Sequence, residues 1–84
     1  MSDESIAARI ERLVDEEQQL RDREQADRSD REALEAETER LRAVEIELDQ
    51  CWDLLRQRRA LRDAGADPNE AHARDADTVE RYQQ

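Results

Sequence analysis

Residues 29–65 read SDREALEAETERLRAVEIELDQCWDLLRQRRALRDAG, and the recurrence of apolar residues through them decides the fold. Leu34, Leu41, Leu48 and Leu55 fall at every seventh position. Val44 and Cys51 lie between them, and Trp52, Leu54 and Leu61 widen the stripe at its far end. A half-buried strand would alternate every second residue, whereas this spacing keeps one face of an α-helix apolar. Ser29-Asp30-Arg31-Glu32 has the form of a capping box, in which the Ser29 hydroxyl accepts from the Glu32 backbone N–H while the Glu32 side chain reaches back. At the other end, Gly65 suits the left-handed position just past a helix and Pro68 cannot continue one, so the helix should stop at Ala64.

Upstream, Ile6, Ile10, Leu13, Val14 and Leu20 recur at spacings of three, four and seven and predict a first helix over about 3–26. Ser2 or Asp3 is the expected N-cap, and Glu4 complements the positive end of the dipole. Only Asp27-Arg28-Ser29 separates the two patterns, which favours antiparallel neighbours. With no Gly or Pro at that link, one long bent helix is the alternative. The expected fold is all-α, an antiparallel, coiled-coil-like two-helix hairpin. Residues 1–66 make the hairpin, with helices at about 3–26 and 30–64, and 67–84 form a C-terminal tail, partly ordered or docked. Asp67-Pro68-Asn69-Glu70 can cap one further short turn. The large apolar residues of the tail, Val79 and Tyr82, stand three apart, so a terminal turn would present both to one surface.

Composition narrows the function. The chain has 84 residues, 45% of them charged, one Gly, one Pro and a net charge of −10. It is long enough for one domain. Its basic residues are all arginine, for which genome composition is the plainest account. A single Cys allows no intramolecular disulfide and no zinc site by itself. The acidic start carries no apolar core of a signal peptide, and no apolar run approaches the roughly 20 residues of a membrane span. A cytoplasmic protein without a membrane anchor is expected. The charge opposes broad attraction to nucleic acid or anionic lipid, but it is uneven: residues 51–63 carry four Arg against two Asp, a net +2 within an acidic chain.

The sequence LDQCWDLLRQRRA at 48–60, followed by DAGADP at 63–68 and TVERY at 78–82, resembles a family of small actinobacterial proteins of unknown function. The acidic first half resembles that family in length and helical pattern. The resemblance implies a helical fold in which 48–68 and the tail act as one unit, and it implies no activity.

Helix lengths suggest a binding surface. At 1.5 Å per residue the first helix spans roughly 36 Å and the second roughly 50 Å. The last two or three turns of the second should therefore overhang. Two helices of this composition are under-stabilised alone, so another copy is expected to cover the overhang, giving a homodimer of four helices built around helix two. Candidate interface residues are Trp52, Leu54, Leu55 and Leu61, joined by Val79 and Tyr82. Arg56, Arg58, Arg59 and Arg62 form a candidate patch for an anion or an acidic partner, and a solvated face complementing the helix C-terminus is the plainer reading of them. Cys51, on the seam, is expected to be a buried structural thiol. Ile46 lies opposite the seam and His72 in the tail, each expected to meet solvent. No phosphate loop, no nucleophile beside a base and no ligand cluster occurs. Catalysis, cofactors and metals are accordingly not expected. The function predicted is a non-enzymatic protein–protein interaction module, an adaptor or regulator with a still unidentified protein partner. The alternative is a nucleic-acid-associated regulator using the Arg cluster.

Overall fold

Two serines open the first helix. The Ser2 hydroxyl accepts from the Ser5 backbone N–H at 3.1 Å, and the Ser2 N–H donates to the Ser5 hydroxyl at 3.0 Å, a reciprocal cap with serine in the third position. Ser2 is therefore the N-cap, which leaves the Asp3 carboxylate free for other partners. The computed structural model describes residues 2–26 and 30–75. Among these, α1 spans Asp3–Ala26, α2 spans Arg31–Asp63, and a 3₁₀ turn covers Pro68–Glu70. No strand occurs among the described residues.

Asp30, not Ser29, caps α2: its backbone is extended, and its carboxylate accepts from the Ala33 N–H at 3.2 Å. The cap lies one residue later than the Ser29 box predicts, and Ser29 itself falls outside the described residues, with Asp27 and Arg28. The C-terminal end agrees with the sequence. Gly65 has φ +76°, its N–H donates to the Arg62 carbonyl at 3.0 Å, and the Ala66 N–H donates to the Leu61 carbonyl at 2.8 Å. These are the two bonds of a Schellman ending. The predicted short turn also forms, with the Asp67 carboxylate accepting from Asn69 N–H at 2.9 Å and Pro68 in the first turn.

The helices pack antiparallel, since the start of α1 meets the end of α2: Asp3 pairs with Arg58 and Arg62, and Glu16 pairs with Arg40. The buried residues are Ile6, Ile10, Leu13 and Leu20 from α1, with Leu41, Val44, Leu48, Cys51 and Leu54 from α2. Leu55 and Ala71 pack half-buried against them. Val14, expected in the stripe, is 38% exposed at its edge. Leu34, the predicted first seam residue, is only half-buried, and the seam closes tightly from Leu41 onward.

The expected overhang is short. Asp3 reaches Arg62, so α1 extends alongside α2 almost to its end at Asp63. What passes beyond α1 is about one turn, rather than two or three. The reason is register: the helix lengths are as expected, but the first turn of α1 stands beside Arg58 and Arg62 near the end of α2. Residues 66–75 then turn back and run along the outer face of α2.

Candidate functional site

Ion pairs mark the two flanks of the hairpin. On one, Arg9 lies 3.8 Å from Glu47, and Arg40 holds Glu16 with both oxygens at 2.6 and 3.0 Å. That bidentate hold keeps Glu16 below the usual carboxylate range and pushes Arg40 further up. On the other flank, Arg21 donates to Glu45 at 2.9 Å. Val14 stands seven residues before Arg21, and Trp52 seven after Glu45. Seven residues are two helical turns, so both lie on this second flank. They are the two large apolar residues left exposed among the described residues, Trp52 at 49%.

The end of α2 carries a separate polar network. Arg58 is buried, 8% exposed, although its side chain is charged. Its Nε donates to Asp3 Oδ1 at 2.5 Å, and its Nη1 donates at 3.2 Å to both the Pro68 carbonyl and Asn69 Oδ1. Arg62 takes the second oxygen of Asp3 at 2.7 Å. Held first by Arg62 and then by Arg58, the Asp3 carboxyl is lowered to about 2. One turn earlier on α2, Asp53 is 3% exposed. It accepts from Gln57 at 2.8 Å and lies 3.3 Å from Arg74 and 3.8 Å from Arg56. Gln57 also donates to the His72 carbonyl at 2.8 Å, and Gln50 donates to the Arg74 carbonyl at 3.2 Å. Segment 66–75 is thus a strap tied down at successive points on α2: Arg58, Gln57, Asp53 and Gln50.

The candidate interface residues therefore separate. Leu54 is in the core, and Leu55 is half-buried beside it. Leu61, half-buried, lines a groove under the strap with Gln57, Glu70, His72 and Arg74. Trp52 alone of these stands open. Val79 and Tyr82 lie outside the described residues. The candidate Arg patch is divided too: Arg58 and Arg62 are committed to Asp3, and Arg56 approaches Asp53, while Arg59 is exposed and has no ion-pair partner among the described residues. Cys51 is buried, and burial pushes its thiol up. Ile46 is half-buried rather than fully open, and His72 is exposed as expected. No group of His, Cys, Asp and Glu among the described residues could hold a metal. A hollow of ≈ 160 Å³ lies beside Cys51, lined by Ile6, Arg9 and Leu54.

Sequence reasoning did not anticipate Asp3, Gln50, Asp53, Gln57, Asn69 and Arg74 as a network. One signal was available. Gln50, Asp53 and Gln57 stand three and four apart on the outer face of α2, a hydrogen-bonding row rather than a row of paired charges.

An antiparallel helical pair with a C-terminal strap, its described residues all helix, turn or loop, defines a small all-helical protein with Trp52 and Val14 open on one flank. The chain belongs to the family described as Protein of unknown function (DUF2630), which residues 2–84 match. It is also 70% identical over 46 residues to uncharacterized proteins of Mycobacterium bovis and Mycobacterium tuberculosis. That match covers 55% of this chain and 53% of each relative, so the chain spans about half the length of the curated relatives it matches. No solved structure matches it. Among the described residues, no helix is long and apolar enough to cross a membrane.

Proposed function

We propose that this chain is a non-enzymatic, cytoplasmic protein–protein interaction module, an adaptor or regulator, that self-associates through the flank carrying Trp52. One observation carries the reading: the single tryptophan of the chain is 49% exposed on α2 while smaller apolar residues around it are buried. Tryptophan left open in this way is enriched at the centres of interfaces, where its large area is desolvated on binding. Half-buried Leu55 stands three residues along on the same helix, and Val14 extends the flank onto α1.

The alternative use of the Arg cluster on nucleic acid has weaker support. Two of its four guanidiniums are held by Asp3, and a third faces Asp53. The net charge of −10 opposes a polyanion. A salt-dependent shift on DNA or RNA, lost in an Arg58/Arg59 double alanine variant, would favour it.

Because Trp52 is the sole tryptophan, its fluorescence reports its own burial. The test is a concentration series followed by both light scattering and tryptophan emission. A rise in mass toward twice the monomer, accompanied by a blue shift, is expected. A monomer with constant, solvent-like emission at every concentration would sink self-association.

A further inference from the structure

The flank around Trp52 has an order of charge that selects one way for two copies to meet. Resting on the self-association proposed above, we propose that α2 pairs with α2 of a second copy in antiparallel fashion, Trp52 on the two-fold axis and Glu45 facing the partner's Arg59.

Along α2, Glu45, Asp49, Trp52, Leu55, Arg56 and Arg59 share one face by their spacings of three, four and seven. Acids precede Trp52 and arginines follow it. Side by side in parallel, two such faces would set Arg59 on Arg59 and Glu45 on Glu45. Antiparallel about Trp52, residues equidistant from it meet, so Glu45 comes opposite Arg59 and Asp49 comes beside Arg56, each pair twice by symmetry. Exposure permits this. The side chains of Glu45 and Arg56 are 45% and 57% exposed, and Arg59 is exposed with no ion-pair partner among the described residues. The bond from Arg21 uses Oε1 of Glu45, so the other oxygen is left for an incoming guanidinium. The strap does not obstruct the approach, because it docks on Gln50, Asp53 and Gln57, around the helix from Trp52. The apolar part is small: one tryptophan flanked by Leu55 and Val14. Charge order, rather than apolar area, therefore sets the orientation.

The test exchanges charges. Arg59→Glu alone sets a new carboxylate against Glu45 at both symmetric places. Glu45→Arg alone sets a new guanidinium against Arg59 at both. An equal mixture of the two variants restores opposite signs at one place and leaves the other pair exchanged but still opposite. Each variant alone is expected to dimerise about tenfold or more weakly than the native chain, and the mixture to recover, by light scattering. Helicity confirms that each variant is folded.

Cross-linking asks the same question without new charges. Glu45→Cys and Arg59→Cys chains, mixed and oxidised, should form the mixed disulfide. A self-disulfide of either should not form, since each position lies about 21 Å from its own copy along the antiparallel pair. Cys51 stays in place because it is buried. A native dimer whose charge variants associate unchanged, or whose Glu45→Cys chains cross-link to one another, would overturn this arrangement and leave self-association standing. A native chain that stays monomeric with Trp52 open to solvent would overturn both. A monomer whose Trp52 is shielded until residues 76–84 are removed would mean that the chain's own end, not a second copy, occupies the flank.

Discussion

Replacing Arg58 by alanine removes a buried guanidinium that is tied to three places at once: Asp3 in α1, the Pro68 carbonyl and the Asn69 side chain. Breaking a fully buried ion pair by deleting one partner costs about 3–5 kcal/mol, because a charge is stranded. Here less is stranded: the Asp3 side chain is 42% exposed and Arg62 still holds it. The Pro68 and Asn69 acceptors, bonded at 3.2 Å, can turn partly to water. Loss of the packed Arg58 stem adds a further contribution. Together these set the cost of Arg58→Ala at about 2–3 kcal/mol. In a domain of this size that lowers Tm by roughly 10–20 °C. The assay is thermal unfolding followed by helicity at neutral pH, with limited proteolysis of 66–75 beside it. The strap should become cleavable at temperatures where the helices remain. Arg62→Ala, at the exposed end of the same pairing, should shift Tm by less than half as much. An Arg58→Ala chain melting within about 3 °C of the native one, with its strap still protected, would refute a structural role for the network.

Acid should act through Asp3. Its folded pKa of about 2 lies below the usual 3.8, so the stabilisation it brings is complete above pH 4 and is lost as the pH falls toward 2. Below the pI of 4.5 acid also loads the whole chain with positive charge, which destabilises it in the same sense, so the difference in Tm between native and Asp3→Asn chains isolates Asp3, and that difference should shrink as the pH falls through about 2. Asp30→Ala deletes the cap of α2 and should cost about 1 kcal/mol, read by urea unfolding with an unchanged slope. Cys51, buried and raised in pKa, should react with a thiol reagent only as fast as the helices part, and at full rate in urea.

The helices, their antiparallel order and the Gly65 ending were legible because each rests on local chemistry: heptad spacing, a short link and a residue free to adopt φ +76°. The cap of α2 was misplaced by one residue because Ser29 and Asp30 are equally good acceptors, and only the backbone decides between them. Ser2 and Asp3 posed the same ambiguity at α1, with a larger consequence. Once Ser2 takes the cap, Asp3 is free to draw Arg58 out of the candidate surface patch. The overhang was overestimated because helix length alone does not fix register. The strap was not legible, since Gln50, Asp53 and Gln57 look like ordinary solvated residues until residues 66–75 return to them. Trp52 was singled out on sequence and stands exposed, but Leu54 in the core and Leu61 under the strap do not share its surroundings.

Arg58 grips Asp3 and the turn at Pro68–Glu70 with one side chain, so the two ends of the described chain report on each other. Fraying of the first turn of α1 withdraws a carboxylate from the guanidinium that also anchors the strap. Lifting of the strap, in turn, opens Arg58 to water and loosens its hold on α1. The two openings are therefore expected to behave as a single cooperative unit. Amide exchange in the first turn of α1 and at Glu70 and Ala71 should proceed with one shared opening free energy, although more than sixty residues separate them in the chain.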